Sequence, residues 1–314
     1  MTSKRDYTVR GLRLEAEGVL SVELVPADGG MPPAWEPGAH IDVVVGDGTV
    51  RQYSLCGEPG DDALRVAVLR EPAGRGGSHW IHDRLRPGDR VAVGGPRNHF
   101  ALRPAPSYLF VAGGIGITPL LPMIRAVDGS GLDWRLHYYG RLTATMAFRG
   151  ELAAYGDRVA LHPAGPAVRP EPGTLLANVG EEALIYACGP ARLVEALAGA
   201  ATCRGCCGRF LTELFAAPED QAPRERGAFT LRLERSGTEV EVPADRSALS
   251  VLTDAGVDIL RDCEEGICGS CETRVLAGAV DHRDHVLTAQ ERAANDCMML
   301  CVSRAAGARL VLDL

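Results

Sequence analysis

The sequence predicts a multidomain protein that combines an antiparallel β-barrel, an α/β domain with a parallel sheet, and a small α+β domain. Short strands separated by Gly, Pro and Asp turns fill the first hundred residues, which is typical of a small β-barrel. Apolar strands then alternate with helical segments, which is typical of a buried parallel sheet. The third region begins with a hairpin and carries a group of cysteines. The predicted domains are residues 1–104, 105–217 and 227–314, with a polar linker at 218–226.

Individual strands are predicted where apolar or alternating residues run between turn signals. In the barrel they cover residues 20–24, 41–45 and 64–69. In the α/β domain they cover residues 108–112, 134–139, 159–162 and 183–188. In the third domain they cover residues 229–233 and 239–242, turned at 236–238.

Composition narrows the function classes. The chain has 314 residues, 46% hydrophobic and 24% charged, which is ordinary for a globular protein with sizeable cores. A formal net charge of −8 disfavours nucleic-acid binding. Ten cysteines and no secretory signal pattern indicate a reducing cytoplasm. Residues 107–124 are uncharged, but their glycines and prolines indicate a strand, a loop and a helix start rather than a membrane span.

A first candidate anion site lies in the barrel, where Arg51, Tyr53 and Ser54 precede Arg70 and a glycine-rich turn. That turn contains Arg75 and Gly77 and ends in Ser78, which we expect to cap a helix over residues 80–85. Backbone amides at the helix start, with Arg51 or Arg75, could hold a phosphate. Tyr53 offers an aromatic face suited to an isoalloxazine ring. An ordinary turn with surface arginines is the alternative.

A second candidate site follows the predicted strand at 108–112. Gly113, Gly114 and Gly116 lead to Thr118 and Pro119, which predict an N-cap and a first helical position. Such a loop lets a pyrophosphate approach the backbone, although it lacks the G-x-G-x-x-G fingerprint. Downstream, the predicted strand at 183–188 ends in Cys188, Gly189 and Pro190, at the sheet edge where ligands of open α/β folds bind. A packed core thiol is the alternative for this cysteine.

The third candidate site is a metal site of four cysteines, Cys263, Cys268, Cys271 and Cys301. Their Cys-x4-Cys-x2-Cys spacing with a distant fourth member is the ligand pattern of a plant-type 2Fe–2S cluster. Zinc sites usually show paired clusters instead. Cys297 is a rival for the fourth ligand. Three further thiols, Cys203, Cys206 and Cys207, have no evident fourth partner, and we interpret them as incidental.

These motifs together resemble the phthalate dioxygenase reductase and vanillate O-demethylase reductase family along essentially the whole chain. The resemblance includes residues 51–55, 74–78, 95–100, 113–121, 186–190 and the cluster loop. It implies a flavin domain, a nucleotide domain and a C-terminal β-grasp ferredoxin. It implies FMN held by Arg51, Tyr53, Ser54, Gly77 and Ser78, and it supports Cys301 as the fourth ligand. Phe215 resembles an aromatic residue that lies near the flavin in relatives, with a plain core phenylalanine as the alternative. Arg141 lies where the adenosine ribose should bind, and the family favours NADH.

The expected function is electron transfer from NADH through FMN and a 2Fe–2S cluster to the terminal oxygenase of a Rieske-type dioxygenase or O-demethylase. A heme-thiolate monooxygenase is the alternative partner, and a redox sensor is a third possibility that the complete set of sites disfavours. No side-chain acid, base or nucleophile is required. Residues 223–314 contain 16 acidic residues against 11 arginines, a net of −5, so we expect transient docking on a basic partner surface. We also expect the protein to be a monomer.

Overall fold

A computed structural model of the chain describes residues 4–46, 48–72, 74, 76–165, 170–215, 227–261, 263–287 and 289–314. The chain divides into two compact units, Met1–Glu213 and Leu214–Leu314. The predicted linker at 218–226 and Arg75 lie outside the described residues. None of the helices among the described residues has the length and apolar character needed to span a bilayer.

The first part of unit 1 is an antiparallel barrel of six strands, as predicted. The elements are β1 (Arg5–Ala16), β2 (Val19–Pro26), β3 (His40–Val44), β4 (Val50–Ser54), β5 (Leu64–Leu69), α1 (Gly77–Asp83) and β6 (Arg90–Arg97). The strand order is β4-β3-β6-β1-β2-β5, and a bridge from Leu55 to Val66 brings the two outer strands together. Alternating side chains of these strands point inward, and Val9, Ile41 and Val93 are almost fully buried.

The second part of unit 1 is a five-stranded parallel sheet, also as predicted. The elements are β7 (Ser107–Gly113), α2 (Leu120–Gly129), β8 (Asp133–Gly140), α3 (Arg149–Leu152), β9 (Val159–Pro163), β10 (Leu184–Cys188), α4 (Ala191–Cys203) and β11 (Phe210–Glu213). The order is β11-β10-β7-β8-β9. The chain runs outward from β7 to β9 and then returns to the other side of β7. The strand order therefore reverses between β7 and β10, which is where open α/β sheets bind ligands.

The barrel and the parallel sheet have separate cores but also share one hydrophobic cluster. Val19, Cys56 and Ala67 of the barrel belong to the same buried cluster as Phe110 and Tyr186 of the sheet. Buried side chains of the two parts therefore pack against each other, and a shift of one part is felt by the other. The proposed boundary between residues 104 and 105 stays a prediction.

Unit 2 is a mixed α+β fold. Its elements are β12 (Phe229–Leu233), β13 (Thr238–Val242), α5 (Ala248–Asp254), β14 (Glu272–Ala277), β15 (Val280–Asp281), α6 (Ala289–Ala294), β16 (Cys297–Met299), β17 (Arg304–Ala305) and β18 (Arg309–Leu312). The main sheet has the order β13-β12-β18-β14-β16, and its β12–β18 pair is parallel. Ser247 caps α5 by accepting a hydrogen bond from the Ser250 amide at 3.1 Å. Leu249 and Leu252 of this helix are buried in the core of the unit.

Candidate functional site

The barrel residues of the first predicted site meet at the start of α1. A Cβ added to Gly77 would lie 2.7 Å from Arg51 Cγ and 2.8 Å from Arg51 Nε, so the Arg51 side chain packs directly on the glycine backbone. Glycine at this position leaves the space that the Arg51 side chain occupies. It places a guanidinium next to the amides of the turn, an arrangement that fits a phosphate.

The turn itself differs from the expected cap. Helix α1 begins at Gly77 with Gly76 as its N-cap, at a φ of 85°, so Ser78 is the second helical residue rather than the cap. Glycine adopts the left-handed conformation found at Gly76 without a steric penalty. The Ser78 hydroxyl accepts a hydrogen bond from the Glu71 amide at 3.1 Å, which ties the turn to the end of β5. Arg70 is paired with Asp83 at 2.8 Å, on the exposed side of α1.

Tyr53 and Ser54 lie at the end of β4, opposite Ile41 and His40 of β3. Tyr53 packs against the barrel core, and burial raises the pKa of its phenol to about 12. The phenol is therefore neutral at physiological pH and can act as a hydrogen-bond donor. The Ser54 side chain is buried and lies on the other face of the strand.

The glycine loop after β7 uses its glycines in two ways. A Cβ on Gly113 would lie 2.7 Å from Pro190 Cδ, and a Cβ on Gly116 would lie 2.7 Å from the Gly189 nitrogen. Both glycines therefore let the ends of β7 and β10 pack together. Gly114 is different, since it has a φ of 54° and open space where a side chain would be. It is the glycine of this loop that faces a free volume.

Thr118 does not cap α2, contrary to the sequence prediction. Helix α2 begins at Leu120 with Pro119 as its N-cap, and no side chain caps it. The Thr118 hydroxyl instead donates to the Ile115 carbonyl at 2.9 Å, closing a single 3₁₀ turn over Gly114–Ile117. The inserted turn moves the helix start along the chain, so the hydroxyl no longer reaches the helix amides.

Cys188 ends β10 beside Glu213, the last residue of β11, and both belong to the carboxyl edge of the sheet. The thiol is fully buried, and burial, with Glu213 nearby, raises its pKa well above 9. Glu213 Oε2 also accepts a hydrogen bond from Ser54 Oγ at 3.5 Å. The Glu213 carboxylate therefore links the end of β4 in the barrel to the edge of the sheet where the strand order reverses.

Sequence reasoning did not assign a role to Glu213. Its partner Ser54 is 159 residues away in the chain, so no local pattern connects them. A usable signal was present, because Glu213 ends a strand at the carboxyl edge where ligands bind. Arg141 lies exposed on the loop after β8, and Phe215, at the start of unit 2, has an exposed fraction of 41%.

The four cysteines of the predicted metal site form two pairs in unit 2. The Cys263 thiol is hydrogen-bonded to Cys268, and this hydrogen bond lowers the pKa of Cys268. Cys301 interacts in the same way with Cys271 and lowers the pKa of that thiol. Among the described residues, no three His, Cys, Asp or Glu side chains converge on one ion position. Two pairs of thiols match two irons with two protein ligands each, rather than a closed zinc site.

The loop around these cysteines directs backbone amides at sulfur. The amides of Glu265 and Ile267 donate to Cys263 Sγ at 3.3 and 3.5 Å. Gly266 has a φ of 72°, and a Cβ there would lie 2.6 Å from Val302 Cγ2, so the loop is closed against the segment after Cys301. Amides that donate to the ligand sulfurs are a means of setting the potential of an iron–sulfur cluster, so this loop fits one.

Cys297, the alternative fourth ligand, lies in a different environment. Cys297 is in β16 opposite Arg274, and its pKa is raised to about 11 by burial, with further contributions from Glu272 and Asp296. Cys301, by contrast, interacts with Cys271, and the amide of its neighbour Leu300 donates to the Cys271 carbonyl at 3.4 Å. The geometry therefore favours Cys301. Of the three extra thiols, Cys206 is buried, whereas Cys203 at the end of α4 and Cys207 in the turn that follows are exposed.

Comparisons with known proteins identify the iron–sulfur domain and the family of the chain. Residues 231–306 match the 2Fe-2S iron-sulfur cluster binding domain family. Vanillate O-demethylase oxidoreductase from a Pseudomonas species is 40% identical, over 98% of this chain and 99% of its own length. The structure of a phthalate dioxygenase reductase, described as modular for electron transfer from pyridine nucleotides to 2Fe–2S, superposes with a TM-score of 0.71, 38% identity and coverage of 99% and 98% of the two chains.

An intact type IV self-sufficient cytochrome P-450 monooxygenase also matches, with a TM-score of 0.84 and 43% identity over 99% of this chain. The chain spans 41% of that longer protein.

Fold, site and relatives define a flavin and iron–sulfur electron-transfer oxidoreductase, the reductase component of an oxygenase system. The chain belongs to the phthalate dioxygenase reductase and vanillate O-demethylase reductase family, as its motifs indicated. The expected resident cofactors, FMN and a 2Fe–2S cluster, agree with membership in this family.

Proposed function

We propose that the chain takes electrons from NADH onto FMN and passes them through a 2Fe–2S cluster to the terminal component of a Rieske-type dioxygenase or O-demethylase. The observation that carries this proposal is the junction of Ser54, Glu213 and Cys188, where the flavin strand of the barrel meets the switch point of the sheet. When bound, FMN supplies the conversion of a hydride into single electrons, and the cluster supplies their onward transfer.

The residues of unit 1 bind and orient in this proposal. Arg51 and the amides after Gly76 hold the FMN phosphate, and Tyr53 packs against the ring. The open backbone at Gly114 admits the pyrophosphate of NADH, while Arg141 lies on the loop beyond β8 where the adenosine ribose is expected. Cys188 and Glu213 border the space for the nicotinamide. No side chain needs to move a proton, because hydride transfer is chemistry of the two cofactors.

In unit 2 we assign the cluster to the pairs Cys263 with Cys268 and Cys271 with Cys301. The acidic composition of residues 227–314 supports transient docking to a basic partner surface. The three-domain division at 104 and 217, and action as a cytoplasmic monomer, are part of the same proposal.

A heme-thiolate partner is the second candidate. The observation in its favour is the 43% identity and TM-score of 0.84 to the self-sufficient monooxygenase over 99% of this chain. The reductase itself never contacts the organic substrate, so its own site is compatible with either partner.

The test is an anaerobic titration of the purified holoprotein with NADH and, separately, NADPH. Bleaching of flavin absorbance followed by the electron paramagnetic resonance signal of a reduced 2Fe–2S cluster is expected with NADH. Flavin released by heat should migrate as FMN on chromatography. A preference for NADPH or release of FAD would contradict the corresponding assignment. Reduction assays with a purified Rieske oxygenase and a purified heme-thiolate monooxygenase separate the two partner classes.

A further inference from the structure

A charged network within unit 1 joins the barrel to the parallel sheet, and the reaction described above does not use it. Its centre is Arg125 of α2, whose side chain is only 18% exposed. Arg125 Nη1 donates to the carbonyls of Cys56 and Gly57 at 3.0 and 2.9 Å. Its Nε lies 3.0 Å from Glu58 Oε1. One guanidinium from the sheet thus holds three consecutive residues of the barrel.

The network continues through Glu151 of α3, which accepts from Arg125 Nη2 at 2.5 Å and from Arg65 of β5 at 2.8 Å. Arg65 also donates to Glu15 of β1 at 2.8 Å and stacks on the Phe148 ring with its guanidinium carbon 5.0 Å from the centroid. Five residues of the barrel (Glu15, Cys56, Gly57, Glu58 and Arg65) and three of the sheet region (Arg125, Phe148 and Glu151) therefore form one ordered array. Half-buried pairs with several fixed hydrogen bonds hold geometry better than single surface pairs.

These contacts lie next to the two segments that we assign to the flavin and to NADH. Cys56 and Gly57 come directly after Tyr53, Ser54 and Leu55, at the end of the strand assigned to the flavin. Arg125 lies in the helix that follows the glycine loop assigned to NADH, six residues beyond Pro119. The guanidinium consequently connects the two segments that present the donor and the acceptor of the hydride.

We propose that Arg125 is a positioning residue that sets the separation of the flavin strand from the nicotinamide loop, with Glu151 holding its guanidinium in register. This inference rests on the proposed function. Planar bidentate donation is specific to arginine, because a lysine ammonium is a point charge on a flexible stem. Loss of the clamp leaves both cofactor sites intact but allows the nicotinamide and the flavin to separate.

The experiment compares Arg125→Met and Arg125→Lys with a matched control, Arg158→Met. Arg158 also pairs with a carboxylate, Asp128, at 2.6 Å and stacks on Trp134, but all three residues belong to the sheet region. Each FMN-loaded holoprotein is mixed with NADH anaerobically in a stopped-flow instrument. The rate of flavin reduction, the NADH dissociation constant and the long-wavelength charge-transfer absorbance of the bound pair are recorded.

We expect Arg125→Met to slow flavin reduction by about 10- to 100-fold, because a displacement of about 1 Å can cost about 100-fold in rate. The NADH dissociation constant should stay within about twofold, since the contacts of the nucleotide are unchanged. The charge-transfer absorbance should weaken, whereas Arg158→Met should behave as the wild type. Hydrogen exchange of the FMN-loaded protein without NADH should accelerate at residues 55–60 in Arg125→Met alone.

A wild-type reduction rate in Arg125→Met with full FMN content would overturn the inference, and so would an equal loss in Arg158→Met. Should Arg125→Met fail to retain FMN, Arg125→Lys decides, because it keeps the charge without the bidentate grip. A slowed rate there supports positioning, and an unchanged rate overturns it. If the wild-type protein itself shows no reduction by NADH, the proposed function fails rather than this inference.

Discussion

Gly116 offers a quantitative test of the way β7 and β10 meet. An added Cβ would lie 2.5 Å from the Cys188 carbonyl carbon and 2.7 Å from the Gly189 nitrogen. Both neighbours are backbone atoms, so neither can move aside as a flexible side chain would. An ordinary carbon contact is about 3.5 Å. Gly116→Ala must therefore push the two strand ends apart by an amount on the order of 1 Å.

The cost follows from overpacking, which typically amounts to about 1–3 kcal/mol in a packed interior. Because the clash is with backbone, we expect the upper end, about 3 kcal/mol. For a unit of this size, 1 kcal/mol lowers Tm by about 2–4 °C, so the transition of unit 1 should fall by about 6–12 °C. Flavin reduction by NADH should also slow, since the displaced loop carries the nicotinamide site in our assignment.

Gly150→Ala is the matched control for this substitution. Gly150 is exposed in α3 with nothing near the position of a Cβ, so alanine should raise stability by about 0.4–1 kcal/mol. Differential scanning calorimetry of both FMN-loaded variants measures the two transitions. A Tm for Gly116→Ala within about 2 °C of wild type, or a fall of equal size in both variants, would refute the close packing of β7 on β10.

Three further predictions concern other parts of the chain. Cys301→Ser should abolish the visible absorbance and the electron paramagnetic resonance signal of the cluster, whereas Cys297→Ser should keep both; the reverse result would make Cys297 the ligand. Raising the salt concentration should slow electron transfer to the terminal oxygenase but leave reduction of a neutral dye by NADH nearly unchanged, because screening weakens charge steering; equal sensitivity of the two rates would count against an acidic docking surface. Burial, then the facing His162, lowers the pKa of His137 to about 4. Since an unfolded histidine takes up its proton near pH 6.5, the free energy of unfolding should decline as the pH falls from about 6.5 towards 4, and less so in His137→Gln; identical pH profiles of Tm for the two proteins would disprove this.

Local sequence patterns predicted the class of each region well. The strand at 108–112 was recognisable because a central parallel strand buried on both faces needs an uninterrupted apolar run. The helix caps were predicted wrongly at Ser78 and Thr118, where the hydroxyls bond to the Glu71 amide and the Ile115 carbonyl instead. A serine or threonine before a helix satisfies the capping pattern, but competing backbone partners nearby are invisible until the turn is folded.

The candidate site likewise combines residues that the sequence identifies with contacts that only the folded structure reveals. Sequence alone determined three of the proposed cluster ligands, because Cys263, Cys268 and Cys271 share one short loop whose spacing is itself the signal. Tertiary structure was needed to choose between Cys301 and Cys297. The positions of both cysteines relative to Cys271 are fixed only when β16 pairs with β14. Tertiary structure also brought Glu213 to Ser54 and Arg125 to Cys56. These pairs are separated by 159 and 69 residues, and contacts of that kind exist only after the barrel has packed against the sheet.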